Sequence, residues 1–373
     1  MRGSAVTSAA LTAFKQPLSR LGRAHLSTAA SHYNSGARIG GSIRKASTVP
    51  HSVTSFAGSQ QFEPGVILKG YSGREYTIEN VLQDRQDRLV YLARANEKMF
   101  VLKSLFENEY NYALPLQLRF NHSPYLRALR DTVPDQKMFV NEYMTDHLLN
   151  FAFKDLSLAA QKRILRDSLR GLAALHDQNI AHLDIKANNI MVDYRDTTDG
   201  IVVDRVQLSD LEDSTHIPPG QALRGLKVGN QFWRSPEAHV QGAVGKPSDI
   251  FSLALVFIFM RLKMVIFRID SAPNVDLTNA ILERQISTFA EWDDYEAFID
   301  YLGRRHPWVG ELSRLQDSFG SKNPRRPFSL WKSDALDPDF KDLIKKMTNF
   351  DPRRRITARE ALDHVWFHDV EEL

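Results

Sequence analysis

The apolar residues change their period once along this chain, near residue 150, and that change limits the folds open to it. Between Tyr76 and Lys103, "YTIENVL", "LVYLARA" and "KMFVLKSL" read as strands, separated by the polar "QDRQDR" and the turn-like "RANE". A polar stretch with helical potential, "FENEYNYALPLQLRF", comes next, and then strand-like "KMFVNEYM". Beyond it, "SLAAQKRILRDSLRGLAALHDQ" sets Leu165, Leu169 and Leu172 at i, i+4 and i+7, with Leu158 and Leu175 on or near that stripe, which predicts an amphipathic helix. "IMVDY" and "IVVDRVQL" flank "RDTTDG", whose Asp-Gly step suits a hairpin turn. From Ser248 onward the pattern is mostly helical, with Ser248 or Asp249 placed to cap the apolar run "IFSLALVFIFM". No internal repeat is present. The expected class is α+β: a small antiparallel β-rich lobe with one helix over residues 66–143, then a larger, mainly helical lobe over residues 144–373.

Composition narrows the class further. The chain is 43% apolar and 25% charged, a globular balance with ample core. It contains no cysteine, which excludes disulfides and thiolate metal sites. The longest apolar run, 11 residues before Arg261, is far short of the roughly 20 a membrane span needs, so it predicts a buried core helix and no membrane span. Charge is uneven. Residues 1–62 carry seven basic side chains (Arg2, Lys15, Arg20, Arg23, Arg38, Arg44, Lys45) and no Asp or Glu. In the remainder acidic groups outnumber basic ones by about four, which makes no case for nucleic-acid binding. Within the leader, Leu11, Phe14, Leu18 and Leu21 recur at helical spacing, interrupted by Pro17. An Arg- and Ser-rich, acid-free start of this kind fits a mitochondrial transit peptide; the alternative is a low-complexity disordered tail.

Residues 181–194, "AHLDIKANNIMVDY", pack a His, an Asp, a Lys and an Asn ahead of an alternating strand. Phosphoryl transfer from a nucleotide needs few parts, because catalysis there is mostly positioning and charge neutralisation. It needs a cation on the non-transferred phosphates, oxygen ligands for Mg²⁺, and a carboxylate to orient and deprotonate the attacking hydroxyl. Asp184 is the candidate base, and Lys186 is placed to neutralise the γ-phosphate. Asn189 offers a hard carboxamide oxygen to the metal. Asp210, in "VQLSDLED" at the end of the second hairpin strand, returns a second carboxylate to the same place, and Lys103, ending "MFVLK", is the candidate phosphate anchor.

The order Lys103, "HLDIKANN", "SDLE", "WRSPE", "SDIFSLA" and "DPRRRITAREAL" resembles the eukaryotic protein kinase family over about residues 76–367. The resemblance implies the bilobal protein-kinase-like fold and ATP-dependent phosphoryl transfer to Ser or Thr hydroxyls of a protein substrate, with Mg²⁺ or Mn²⁺. Position by position, Lys103 matches the lysine of the α- and β-phosphates, Asp184 the catalytic-loop aspartate, and Lys186 and Asn189 their family counterparts. Asp210 matches the principal magnesium ligand. Glu142 and Met144 resemble the inter-lobe hinge whose backbone meets the adenine. Glu237 and Arg355 match a structural ion pair, and Asp249 matches the aspartate that opens the central helix and steadies the catalytic loop. For the helix glutamate that pairs with Lys103, Glu109 is the choice and Glu107 the runner-up.

Four positions depart from the family pattern. "QDRQDR" supplies no glycine where a phosphate-covering loop has G-x-G-x-x-G, leaving Arg85 and Arg88 either to supply charge or to lie solvated. "DLE" replaces D-F-G, so Glu212 adds a carboxylate at the metal site and costs roughly 1–2 kcal/mol if a left-handed backbone is required there. Leu183 stands where an arginine normally receives the activation-loop phosphate, and between Asp210 and Glu237 the only hydroxyls are Ser214, Thr215 and Ser235, with none from His216 to Arg234; with receptor and donor missing together, no loop-phosphorylation switch is expected. Asn230 replaces a threonine that contacts the catalytic Asp and Lys, bonds that a carboxamide can also make. His182 reads as a structural hydrogen-bonding residue, and His364 and His368 as surface groups four apart on a helix. The alternative function is the same fold used as a pseudokinase, a binding or scaffolding module with little or no transfer.

Overall fold

Alternating burial builds the first half of the folded region. The strands are β1 (Ile67–Lys69), β2 (Glu75–Arg85), β3 (Arg88–Ala95) and β4 (Lys98–Ser104). Helix α1 (Glu107–Arg119) follows, and then β5 (Leu129–Val133) and β6 (Met138–Glu142). They form one six-stranded antiparallel sheet in the order β1-β2-β3-β4-β6-β5. In β3, Leu89, Tyr91, Ala93 and Ala95 turn inward to meet Tyr76, Ile78 and Leu102, as the period of two demands. The computed structural model describes residues 61–85, 88–198, 200–270 and 276–370, and the transit-peptide expectation on the leader lies outside them.

The second half is helical around a long hairpin. It begins with β7 (Asp146–His147), α2 (Leu148–Phe151), α3 (Leu158–Asp177) and β8 (Ile180–Ala181). The hairpin is β9 (Ile190–Thr197) with β10 (Gly200–Leu208), and β11 (Thr215–His216) comes after it. The remaining helices are α4 (Pro236–His239), α5 (Lys246–Leu262), α6 (Leu277–Phe289), α7 (Trp292–Leu302), α8 (Val309–Asp317), α9 (Pro338–Met347) and α10 (Ala358–Leu362). The small sheet lobe and the larger helical lobe make the expected bilobal α+β fold.

Helix α3 is capped by Ser157, whose hydroxyl accepts from the Ala160 N–H at 3.1 Å. Helix α5 is buried along Ser248–Met260, with Phe251, Phe257 and Phe259 fully enclosed. Each such side chain stabilises the fold by about 1.5–3 kcal/mol relative to an exposed one. The expected cap of this helix is corrected: it begins one turn earlier, with Gly245 at the cap position and Ser248 reaching back toward its N–H. Among the described residues no helix is long and apolar enough to cross a membrane.

Two backbone hydrogen bonds join the lobes beside the hairpin. Arg127 N–H donates to the Leu208 carbonyl at 2.8 Å, and Leu208 N–H to the Tyr125 carbonyl at 2.9 Å. They set the end of β10 against the small lobe, two residues before Asp210.

Candidate active site

The turn after β8 is held from below by Asp249, in the first turns of α5. Its carboxylate accepts from the His182 and Leu183 N–H groups, each at 2.8 Å, and meets the His176 ring at 3.0 Å. Leu183 is thereby fixed in a left-handed conformation, φ 68°. Gly229 packs on it with φ 74°, and a Cβ there would come within 2.8 Å of the Leu183 carbonyl oxygen, so only glycine fits. His182, wholly buried, accepts the Asp184 N–H on Nδ1 at 3.2 Å, so Nε2 carries the proton donated to the Ser209 carbonyl at 2.9 Å. This structural histidine ties the Asp184 turn to the strand end that carries Asp210.

Around Asp184 the expected side chains converge. Lys186 Nζ donates to Asp184 Oδ2 at 2.5 Å, and Asn189 Nδ2 donates to the Asp184 carbonyl at 2.8 Å and to Oδ2 at 3.3 Å. The Asn189 carboxamide oxygen and Asp184 Oδ1 make no hydrogen bond among the described residues. Ser209 N–H donates to the Asn189 carbonyl at 2.8 Å, which brings Asp210 alongside.

From the sheet lobe, Lys103 on β4 ion-pairs with Asp210 and lies 3.2 Å from Glu212 Oε2. Burial works against its ammonium, but the two carboxylates outweigh burial and raise its pKa. Burial also opposes ionisation of Asp210, yet the Lys103 charge holds that carboxyl well below the usual carboxylate range. Glu212 is pushed up to about 7 by burial, with the Asp210 charge adding to the rise against the pull of Lys103. Asp210 has φ 67°, so the strained residue here is the aspartate itself. The strain expected at Glu212 does not arise, because Glu212 sits in a short 3₁₀ turn, Leu211–Asp213, without positive φ.

The pairing expected for Glu109 is corrected. Its carboxylate takes the guanidinium of Arg88, the first residue of the adjacent β3, and also caps the Phe106 N–H at 3.4 Å. Glu107 is 3.7 Å from Lys137. Neither α1 carboxylate pairs with Lys103, because both lie in the first turn of the helix, where Arg88 and Lys137 are the cations at hand. Arg88 is therefore engaged by Glu109, although its side chain stays 43% exposed. Asn230 turns its carboxamide oxygen to the Phe232 N–H at 3.0 Å, and no bond from it to Asp184 or Lys186 is formed.

At the expected hinge, the Glu142 carboxylate binds Arg205 at 3.0 Å and Arg130 at 3.2 Å. Burial opposes its charge, but the arginine bonds hold its pKa below the ordinary value. The Glu142 carbonyl accepts from Arg127 Nη2 at 3.1 Å. Met144 is buried, and its N–H and carbonyl make no hydrogen bond among the described residues. Arg127 is the residue that sequence reasoning missed: half-buried behind the hinge, within reach of the Glu212 and Asp210 charges, it falls in no motif.

Below the site, Arg355 forms a two-pronged pair with Glu237 at 2.6 and 2.8 Å, both side chains wholly buried. Ser248 donates to the same carboxylate at 2.7 Å, and the guanidinium lies over Phe251. His364 is corrected from surface to core: it is buried, caps a short 3₁₀ turn and meets Asp342 at 2.8 Å.

A profile of the protein kinase domain matches residues 94–367. A probable cyclin-dependent serine/threonine-protein kinase of Dictyostelium discoideum is 26% identical over 63% of this chain and 16% of its own length. Cell division control protein 2 homolog 2 of Trypanosoma brucei brucei is 26% identical over 68% of this chain and 69% of its own. The mouse serine/threonine-protein kinase PAK 1 is 30% identical over 52% and 33%. The chain thus spans well under two thirds of two of these relatives. Among solved structures, the yeast RNA Pol II CTD kinase CTDK-1 complex contains a chain that matches with a TM-score of 0.65 and 19% identity, over 87% of this chain and 98% of that one, a likeness of fold. With a matched profile covering most of its length and the ordered Lys103, Asp184, Asn189 and Asp210 side chains gathered between two lobes, the chain belongs to the protein kinase domain family.

Proposed function

We propose that this chain transfers the γ-phosphoryl group of ATP to Ser or Thr hydroxyls of a protein substrate. The observation that carries the reading is the meeting of Lys103, Asp210, Asn189 and Asp184 at one seam, three of them from the large lobe and one from the small. The Asp210 carboxylate and the unbonded Asn189 oxygen are hard donors, a two-ligand set that suits Mg²⁺ completed by phosphate and water oxygens. Bound there, Mg²⁺-ATP supplies the group to be transferred and neutralises charge on the phosphate that leaves.

The chain's own residues do the rest. Asp184 Oδ1 accepts the proton of the attacking hydroxyl while Oδ2 stays anchored by Lys186 and Asn189. Lys186 counters charge on the moving phosphoryl oxygens, and Lys103 exchanges a carboxylate for the non-transferred phosphates. The unpartnered N–H and carbonyl of Met144 offer the adenine a donor and an acceptor.

The reading extends to regulation. Leu183 packs with Ala181 and Ile217, against Leu223 and Val228, and β11 pairs with β8. Apolar contact supports an ordered segment where an arginine would need a phosphate, so no loop-phosphorylation switch is built in. Ser214 is wholly buried, which further disfavours its modification. A second reading, a nucleotide-binding scaffold with little transfer, is favoured by Glu212, whose extra carboxylate competes with phosphate for Lys103. For the leader, targeting to mitochondria is proposed on its acid-free basic composition. Cytosolic residence of a fluorescent fusion both with and without residues 1–62 would defeat that part.

The test of the site is nucleotide-dependent thermal stabilisation, with and without Mg²⁺ or Mn²⁺. Wild type should melt higher with ATP and metal together, and Asp210→Asn should lose the metal-dependent part. A melt indifferent to ATP under every condition would exclude both readings.

A further inference from the structure

We infer that Glu212, on the turn after Asp210, is the positioning residue that holds Lys103 for nucleotide, in place of a carboxylate from helix α1. The inference rests on the proposed nucleotide site for its consequence, though its geometry stands without it. An ammonium on a flexible four-carbon stem meets a phosphate only if something fixes it. Helix α1 cannot do so here. Its carboxylates, Glu107 and Glu109, are engaged by Lys137 and Arg88, and the residues it buries, Tyr110, Ala113 and Gln117, carry no charge.

Glu212 meets the requirement from the other side. Its Oε2 lies 3.2 Å from Lys103 Nζ, and its side chain is only 14% exposed. Lys103 is its only ion-pair partner among the described residues. The turn that carries it is stiff: Leu211 is buried in the large-lobe core, and the Ser214 N–H closes the turn on the Leu211 carbonyl at 3.0 Å. Asp210 also pairs with Lys103, but Asp210 is the carboxylate that the metal would claim, and Glu212 then remains as the fixed partner. The consequence is mechanical. Lys103 is positioned by the segment that carries Asp210, so a shift of α1 leaves it in place.

The experiment reads Lys103 itself. The full chain, without nucleotide, is pulse-labelled with an amine-acetylating ester, and acetylation of Lys103 is quantified by peptide mass spectrometry, with buried, ion-paired Lys162 as reference. On an Asp210→Asn background, which removes the other carboxylate beside Lys103, Glu212→Gln should raise Lys103 labelling at least about fivefold over that background, because the amine then loses its remaining ion-pair partner. Glu212→Asp should restore most of the protection, and Glu109→Gln should leave labelling within about twofold of wild type, since it touches another pair. Exposure by Glu109→Gln but not by Glu212→Gln, or no change in either, would overturn the inference. A rise at Lys162 as well would report unfolding, and the Glu212→Asp and Glu109→Gln arms then decide. Because labelling needs neither ATP nor turnover, a chain that transfers nothing can still show this pattern, and a transferring chain can lack it.

Discussion

The ion pair beneath the large lobe and the ion pairs at the inter-lobe seam are built from the same chemistry but obey the family pattern differently. The Glu237 and Arg355 side chains sit wholly out of water, bonded to each other and to Ser248, Asn349, Pro247 and Phe350. At the seam, Lys103 has two carboxylates beside it, while Glu109 has an arginine closer than any lysine. A buried pair has one solution. A partly solvated seam has several, and the local sequence selects among them.

The largest effect should come from breaking the buried pair. Arg355→Ala leaves Glu237 buried without its counter-charge, and should cost about 3–5 kcal/mol in chemical denaturation; a cost below about 1 kcal/mol would place that pair with the surface ones. Next, Leu183→Ala should cost about 2–5 kcal/mol by opening the small apolar cluster, and should speed proteolysis within residues 215–228.

Acid should erode the framework in a known direction. Although burial opposes it, Arg355 holds the Glu237 carboxyl below its ordinary value of 4.5. A depressed folded pKa contributes stability that is complete above the unfolded value and lost as pH falls below it. The stability gap between wild type and Glu237→Gln should therefore be constant near neutrality and narrow below pH 4.5. Glu109→Gln breaks a half-exposed pair and should cost no more than about 1 kcal/mol. Smallest of all, Ser214→Ala with Thr215→Ala should leave any transfer rate unchanged, and a large loss would restore a phosphorylation switch to the account.

The fold was legible because period is a direct physical signal: β2 to β4, α3 and the β9–β10 hairpin fall where alternation and helical stripes place them. The residues around Asp184 were legible because their spacing in one loop forces them together. Partner choice was not. Glu109 lies on the expected helix, yet which cation it meets depends on how β3 and α1 pack, which no spacing encodes. Arg127 and the buried His364 were hidden for a related reason, since burial of a polar residue follows from neighbours distant in sequence. At Glu212 the expected strain presumed a left-handed backbone that the short 3₁₀ turn avoids.

The decisive measurement is γ-phosphate transfer from labelled ATP to a generic protein substrate with Mg²⁺ or Mn²⁺, comparing wild type with Asp184→Asn. A working phosphotransferase should give signal well above background in wild type and fall to background in the variant, with added label on serine and threonine. Equal background from both proteins would contradict catalysis and leave a domain that binds nucleotide without using it.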